Sequence, residues 1–341
     1  MTPTITPARS LADLITVVPF LLGFHPTDSA VVLGLRDRRI IFQVRDDLPD
    51  PADRPGFARH LAALVARQHA TGAVVLGYGP GAAVTPAVDA LRSALADAGI
   101  PVVDAVRVAA GRYWSYVCRD PACCPPDGHP YDPVAGPLAV AAIVEGCQAL
   151  PSRTALERRF APLDGPAREA VTAATRRARD RLTALLDGPD RACAGGAERR
   201  SDPSTVAQGV LRRRGTAAVD AALTRQRSGD RLTDDELAWL CLVLLYRPVR
   251  DHAWEAVGGD LGVHVGLWTD VTRRADPELV AAPATLLSFA AWRAGEGAVA
   301  SIALSRALAA DPEYPMALLM GRALAGGLNP AEWDAAIRTS S

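Results

Sequence analysis

The chain has 341 residues, of which 49 % are hydrophobic and 22 % charged, and its net charge is −1. This composition excludes a collagen-like, a fully disordered or a disulfide-scaffold protein and is ordinary for a soluble globular chain. The length predicts more than one domain, while the composition by itself indicates no activity.

The basic residues exclude two kinds of chemistry. All 37 of them are arginines. P-loop phosphoryl transfer and Schiff-base chemistry are therefore excluded, because both need a lysine side chain. Any cationic group in a functional site must be a guanidinium, which stays charged and suits oxyanions better than proton transfer.

Residues 1–152 alternate between strand and helix patterns. We predict a helix after Ser10 that Pro19 interrupts, followed by a β-hairpin of Ala30–Leu35 and Arg39–Val44. The later predicted elements are helix Phe57–Ala70, strand Ala73–Tyr78, helix Thr85–Ala98 and strands Val102–Val108 and Tyr113–Val117. Because helices separate these strands, we predict an α/β domain with a mixed, partly parallel sheet and flanking helices.

From residue 153 onward the strand pattern is absent, which predicts an all-α C-terminal part. We expect a basic helical connector at 153–231 with a loop at 187–204, then a helical domain at 232–341. Small residues within 281–327 have the spacing of one tetratricopeptide-like hairpin. An ordinary helical hairpin is the alternative.

Charge is distributed unevenly along the chain. Residues 153–231 carry 17 arginines against 10 acidic residues, whereas residues 232–341 carry 8 against 14. The basic segment contains a single aromatic residue, Phe160, so it lacks a platform for stacking nucleic-acid bases. We expect no nucleic-acid binding and favour pairing of the two segments, within one chain or between copies in a homo-oligomer.

The sequence predicts no membrane segment, because no apolar run reaches the roughly 18 residues that span a bilayer. Leu14–Phe24 could imitate a signal peptide, but Asp13 and Pro26 argue against this interpretation. The six cysteines are not spaced as in a secreted framework, which favours reduced thiols and a cytoplasmic location.

The most distinctive motif is a cysteine cluster, Cys118, Cys123 and Cys124, followed by His129. These four residues could ligate a metal ion. We do not favour a metal site, because adjacent cysteines point apart in an extended chain and structural zinc sites usually consist of two separated pairs. Structural thiols, a redox pair and a nucleophile are the other interpretations that remain open.

Strand ends supply the other candidate residues. Arg45 and Asp47 end a strand, where α/β folds often bind ligands, although the pair could instead close a turn. Gly79 and Gly81 lie between a strand and a helix, where backbone N–H groups could hold an anion or form a tight turn. We predict as ligand-binding residues Arg45, Asp47, Gly79, Gly81 and Arg112. We predict as catalytic residues Cys123, Cys124 and Arg45, with Arg45 or Arg112 holding an oxyanion.

Four segments together resemble one known family. They are Pro19–Ser29, Arg45–Pro49, the cysteine motif Trp114–Gly128, and Pro283–Gly297. These segments resemble the actinobacterial domain of unknown function 4192. The resemblance covers nearly the whole chain and implies a bacterial cytosolic protein, but it implies neither a mechanism nor a cofactor.

Two functions of different kinds are compatible with the sequence. The first is an interaction or regulatory module, with the α/β part as a platform or ligand sensor and the C-terminal helices as the surface for a protein partner. The second is an enzyme for a small anionic or acyl substrate that uses a cysteine of residues 118–124. The sequence contains no catalytic triad, P-loop, Rossmann fingerprint or metal tetrad, which favours the module.

Overall fold

The computed structural model describes residues 10–37, 39–118, 120–187 and 203–333. Over these residues the protein is a mixed α/β structure that is mostly helical and contains one six-stranded mixed sheet. The loop expected at 187–204 falls on residues 188–202, which lie outside the described residues.

The chain divides into two compact units. One comprises the described parts of Thr2–Leu156 and Ala325–Ser341, and the other comprises Glu157–Leu324. Within the first unit, Gln68 Nε2 donates a hydrogen bond to the carbonyl oxygen of Gly327 at 2.5 Å, which attaches the C-terminal segment to a helix of this unit. The three-part division at residues 152 and 231 stays a prediction.

The sheet has the strand order β2-β1-β3-β4-β5-β6. Its strands are β1 (Ser29–Arg36), β2 (Arg39–Asp47), β3 (Gly72–Tyr78), β4 (Val102–Ala109), β5 (Arg112–Ser115) and β6 (His129–Pro130). Strands β3 and β4 run parallel, and the other neighbouring pairs are antiparallel. A helix between β3 and β4 makes the crossover that a parallel pair needs, so the predicted partly parallel sheet is confirmed.

Helices cover both faces of the sheet. The helices of the first unit are α1 (Leu11–Leu22), α2 (Arg54–Arg67), α3 (Gly81–Asp97) and α4 (Pro137–Val144). On one face, Val32 and Val75 join a core with α2 and α3. Side chains alternate between faces along a strand, so Gln43, next to Phe42 of that core, points to the other face. There its Nε2 donates to the carbonyl oxygen of Leu21 in α1 at 2.9 Å.

Helix α1 runs through Pro19, so the predicted interruption is wrong. Its start is fixed by a capping box in which Ser10 and Asp13 each accept the other's backbone N–H at 3.1 Å. A proline inside a helix removes one backbone hydrogen bond. The helix tolerates this loss because it buries apolar side chains such as Ile15 and Val18, each contributing roughly 1.5–3 kcal/mol.

The second unit is built from helices. Helix α5 (Arg153–Arg159) spans the boundary of the two units. The other helices named in the described residues are α6 (Gly165–Asp187), α7 (Pro203–Arg227), α8 (Asp234–Val243), α9 (Arg247–Glu255), α10 (Leu261–Arg274), α11 (Ala281–Arg293), α12 (Gly297–Ala310) and α13 (Pro315–Ala325), with a 3-10 helix at Pro277–Leu279. Among the described residues the last strand ends at Pro130. None of the described helices has both the length and the apolar character needed to cross a bilayer.

Helices α11 and α12 form a close hairpin. Ser288 Oγ donates to the carbonyl oxygen of Ala300 at 2.9 Å, which requires the two helices to approach closely. The small side chains of Ala291 and Ala303, both fully buried, allow this approach. The assignment of the hairpin as a tetratricopeptide repeat stays a prediction.

Ion pairs connect the basic segment 153–231 to acidic residues further along the chain. The pairs are Arg177–Asp235 at 2.6 Å, Arg179–Glu278 at 2.7 Å, Arg225–Glu236 at 3.0 Å and Arg231–Asp270 at 2.6 Å. Apart from Asp270, which is 21 % exposed, these side chains are largely exposed, so each exposed pair stabilises the fold by at most about 1 kcal/mol. The excess positive charge is nevertheless partly paired within one chain.

Gly77 sets the distance between β3 and α3, and its replacement gives a first prediction. A Cβ atom at this position would lie 2.2 Å from Val84 Cγ1 and 3.0 Å from Val88 Cγ2. We expect Gly77→Ala to lower the free energy of unfolding by about 1–3 kcal/mol, because overpacking forces buried side chains off their rotamers. Urea unfolding followed by far-UV circular dichroism measures this change.

The matched control is Gly56→Ala in α2. Nothing lies within 4 Å of a Cβ atom at Gly56, so this variant should be neutral or stabilised by up to about 1 kcal/mol. Equal stability of Gly77→Ala and the wild type would contradict the packing of α3 on β3.

Candidate functional site

The cysteine loop, residues 116–128, connects β5 to β6 at one edge of the sheet. It contains Cys118, Cys123 and Cys124, and their three sulfur atoms all lie within 4.8 Å of one another. Cys123 is exposed and the other two are half-buried. The loop therefore presents three free thiols together at the protein surface.

A helical turn brings the two adjacent cysteines into this arrangement. The carbonyl oxygen of Asp120 accepts hydrogen bonds from the backbone N–H groups of Cys123 at 3.1 Å and Cys124 at 2.6 Å. The Asp120 carboxylate also accepts from the N–H of Ala122 at 2.9 Å. Successive side chains on a helical turn are about 100° apart rather than opposed as in a strand, so both thiols can approach Cys118. The objection that adjacent cysteines point apart does not hold for this backbone.

The start of the loop is fixed by a serine. Ser115 Oγ accepts hydrogen bonds from the backbone N–H groups of Val117 and Cys118, both at 3.1 Å. The same hydroxyl donates to Asp104 Oδ1 on β4 at 3.0 Å. Burial raises the pKa of Asp104, although its hydrogen bonds from Ala105 and Ser115 act in the opposite direction. The backbone of Cys118 is thus attached to the body of the sheet.

The far end of the loop is fixed by two more side chains of β5. Arg112 Nη1 donates to the carbonyl oxygens of Asp127 at 3.0 Å and Gly128 at 2.7 Å. Trp114 Nε1 donates to the carbonyl oxygen of Pro126 at 2.9 Å. The guanidinium group of Arg112, which the sequence suggested as an anion ligand, binds backbone carbonyl groups in this structure.

His129 contacts the loop rather than the sulfur atoms. Its Nε2 lies 2.6 Å from the carbonyl oxygen of Cys123, and its ring stacks on Tyr113 with ring centroids 5.1 Å apart. Because a carbonyl oxygen only accepts, Nε2 carries a proton in this contact. The structure thus brings together three of the four possible metal ligands, a set for which no metal was favoured from the sequence, and His129 makes a different contact.

The three thiols differ in acidity. Hydrogen bonds to the Cys118 sulfur, first from the backbone N–H of Asp120 and then from the Cys124 thiol, lower the pKa of Cys118. The Cys123 thiol donates a hydrogen bond to Cys118, and this bond, together with the charge of Cys118, raises the pKa of Cys123. The hydrogen bond that the Cys124 thiol donates to Cys118 is the larger cause, and burial the next, that raises the pKa of Cys124 to about 12. Cys118 is therefore the most acidic of the three thiols.

A cavity of about 150 Å³ adjoins the cluster and is lined by side chains that include Tyr113, Trp114, Cys118, Cys124 and His129. Typical pockets for organic ligands have volumes of roughly 300–1,000 Å³. This cavity is therefore suited to an ion with a few water molecules or to a very small substrate.

Arg45 and Asp47 lie far from the cysteines. Arg45 Nη2 contacts Asp47 Oδ1 at 2.5 Å, and only 8 % of the Arg45 side chain is exposed. Strands β2 and β5 are four strand spacings apart in the sheet, which corresponds to about 19 Å at about 4.8 Å per spacing. The structure does not bring Arg45 and the cysteine cluster together.

Gly79 and Gly81 form the turn between β3 and α3. Gly79 has a φ of +134°, and its N–H donates to the carbonyl oxygen of Val108 at 3.1 Å. Helix α3 begins at Gly81 rather than at the predicted Thr85, because Pro80 supplies the extended residue before the first turn. Next to Gly81 lies the guanidinium group of Arg107, which also stacks over the Trp114 ring at 3.7 Å. Arg107 is not among the site residues predicted from the sequence.

Ser115 and Trp114 were also missed, and one of them had a local signal. A serine hydroxyl commonly accepts the backbone N–H groups of residues two and three positions later, so Ser115 before Cys118 is such a pattern. The contact of Trp114 with Pro126 has no comparable signal, because it depends on the return of the chain to β6.

Gly128 tests the attachment of the cysteine loop. Its φ is +72°, and a Cβ atom there would lie 2.5 Å from Cε2 of Trp114. We expect Gly128→Ala to displace the indole, to reduce stability by about 1–3 kcal/mol and to increase the rate at which the cluster thiols are alkylated. Thermal unfolding and mass spectrometry after iodoacetamide treatment measure the two effects.

The control is Gly111→Ala, which has nearly the same φ, +70°, but nothing within 4 Å of its Cβ position. Both variants share the backbone strain of alanine in the left-handed region, so only the contact with Trp114 distinguishes them. Identical melting temperatures and alkylation rates for the two variants would show that Trp114 does not hold the loop.

Comparison with known protein families identifies a match over most of the chain. Residues 12–331 match the family described as "Domain of unknown function (DUF4192)". The matched range includes the sheet, the cysteine loop and the helical hairpin of α11 and α12. No curated protein and no solved structure matches the chain.

Proposed function

The chain belongs to the DUF4192 family, whose description assigns no activity, and we propose that it is a regulatory module with a thiol switch in the cysteine loop. The observation that carries this proposal is the convergence of Cys118, Cys123 and Cys124 within 4.8 Å at the protein surface. Free thiols this close can be oxidised to a disulfide without rearrangement of the surrounding sheet.

The switch reaction is oxidation of two thiols by a hydroperoxide. The sulfur of one cysteine attacks a peroxide oxygen, the O–O bond breaks, and an alcohol leaves with the thiol proton, which gives a sulfenic acid. The sulfur of a second cysteine then attacks the sulfenic sulfur, and water leaves as the S–S bond forms. Two electrons pass from the thiols to the peroxide, and a reducing dithiol restores the resting state.

Geometry selects the pair that forms the disulfide. The S–S bond is about 2.05 Å long. Since the sulfur atoms lie within 4.8 Å of one another, any two of them need to move closer by less than about 3 Å to form this bond. A bond between adjacent Cys123 and Cys124 would close a small ring across a trans peptide bond, which strains that bond. We therefore propose that the disulfide contains Cys118 and either Cys123 or Cys124.

Oxidation would be transmitted through the contacts of the loop. A bond to Cys118 pulls on the helical turn whose Cys123 carbonyl oxygen contacts His129, the first residue of β6. A change at the sulfur atoms would therefore reach β6 at the edge of the sheet.

The compartment and the partner-binding surface belong to the same proposal. We propose the cytoplasm as the compartment, because a switch needs reduced thiols at rest, and the five described cysteines are free. We also propose the C-terminal helices as the partner-binding surface, with the tetratricopeptide-like hairpin of α11 and α12 as its scaffold. The exposed Leu318 and Leu319 of α13 support this surface.

An enzyme is the second candidate function, and the cavity beside Cys118 and Cys124 is the observation that favours it. Against it, Arg112 Nη1 already donates to two carbonyl oxygens, and three strands separate β2, which carries Arg45, from β5. Repeated turnover of an activated ester that stops in Cys118→Ser would favour the enzyme over the switch.

Peptide mapping after peroxide treatment tests the switch. We expect the reduced native protein to form one intramolecular disulfide that contains Cys118, while the buried Cys241 stays reduced. Cys118→Ser should form no disulfide in the loop, because only the strained adjacent pair remains. Cys147→Ser, which changes a half-buried cysteine outside the cluster, should react as the wild type does. Disulfide formation at an unchanged rate in Cys118→Ser would reject the switch.

A further inference from the structure

We infer that the reduced cysteine loop binds one thiophilic divalent metal ion of the zinc class through the sulfur atoms of Cys118, Cys123 and Cys124. The inference rests on the proposed function in that the same three thiols act as the switch, and the disulfide state would release the ion. The metal ion would be the ligand of the reduced, resting state of the switch.

The sulfur positions are close to those of a metal site. Zinc–sulfur bonds are about 2.3 Å long, and tetrahedral geometry then places the sulfur atoms about 3.8 Å apart. The three sulfur atoms already lie within 4.8 Å of one another, so each separation must shrink by no more than about 1 Å. Rotation of the cysteine side chains can supply this movement while the backbone stays in place.

The backbone that carries the ligands is fixed before any ion binds. Asp120 orients Cys123 and Cys124 through its carbonyl oxygen, and Ser115 holds the N–H of Cys118. Arg112 and Trp114 hold the far end of the loop through three hydrogen bonds to carbonyl oxygens. Such outer contacts position the ligands and are as typical of metal sites as the ligands themselves.

The donor set determines the class of ion. Three thiolates are soft ligands that select zinc, cadmium or cobalt over magnesium or calcium, which prefer oxygen donors. Among the described residues the ligand group contains only the three cysteines, with no carboxylate oxygen. Hard divalent cations therefore have no suitable donors here.

The fourth ligand would come from the cavity of about 150 Å³ beside the cluster. His129 also lines this cavity, but its Nε2 is engaged with the carbonyl oxygen of Cys123 at 2.6 Å. We therefore assign the fourth position to a water molecule. The loop would then provide three protein ligands and one exchangeable position.

The experiment is a titration of the full-length reduced protein with Co²⁺ under anaerobic conditions. We expect one Co²⁺ per chain, a sulfur-to-cobalt charge-transfer band in the near ultraviolet, and loss of this band when one equivalent of Zn²⁺ is added. The serine variants of Cys118, Cys123 and Cys124 should each bind Co²⁺ about 100-fold more weakly or worse, since loss of a ligand exceeds the effect of an outer contact. Cys147→Ser is the matched control and should bind as the wild type does.

A second measurement does not depend on the folding of the variants. In the wild type, Zn²⁺ should protect the three cluster thiols from iodoacetamide and leave the alkylation rate of Cys147 unchanged. Absence of the charge-transfer band, equal weakening by Cys147→Ser, or equal alkylation of the cluster with and without Zn²⁺ would each overturn the inference.

The two proposals at this loop fail separately. A protein that forms the Cys118 disulfide but gives no cobalt band retains the switch and lacks the metal site. A protein that binds Co²⁺ through the cluster but forms no disulfide with peroxide retains the metal site and lacks the switch.

Discussion

Burial of β3 on both faces is the constraint on which the first unit depends. Every residue of this strand is buried, which requires a layer of helices on each side of the sheet. Gly77 allows α3 to approach one face, and α1 lies on the other. Each large apolar side chain buried in these layers contributes roughly 1.5–3 kcal/mol, against about 1 kcal/mol for a hydrogen bond to the cysteine loop. The sheet therefore positions β5, and β5 positions the loop.

The chemistry of the cysteine loop follows from one helical turn, residues 120–124. Because the carbonyl oxygen of Asp120 binds the N–H groups of Cys123 and Cys124, the two side chains converge on Cys118 instead of opposing each other. Convergence of sulfur atoms favours both disulfide formation and metal binding, and the two states exclude one another because each uses the same electron pairs. A single backbone feature thus supports both proposed states of the site.

The helical unit uses its charges differently at the surface and in the interior. Its exposed arginines pair with acidic residues of the last third and contribute little individually. Arg274, in contrast, is buried and contacts Asp234 at 2.5 Å and Asp270 at 2.8 Å, which connects α8 to α10. Removal of one partner of such a buried group would cost several kcal/mol, because a charge would remain unpaired. In residues 153–231, by comparison, the ion pairs of the four exposed arginines offset only part of the excess positive charge.

The order of strands and helices up to β5, the parallel crossover through α3 and the capping residue Ser10 are all readable from the amino-acid sequence. These features depend on hydrophobic periodicity and on side chains a few residues apart, which a sequence displays directly. The folded structure was needed to show that α1 continues through Pro19, that His129 begins a sixth strand, that Arg45 lies across the sheet from the cysteines, and that three thiols meet. Each of these depends on packing between distant segments or on the conformation of one turn, which local patterns do not specify.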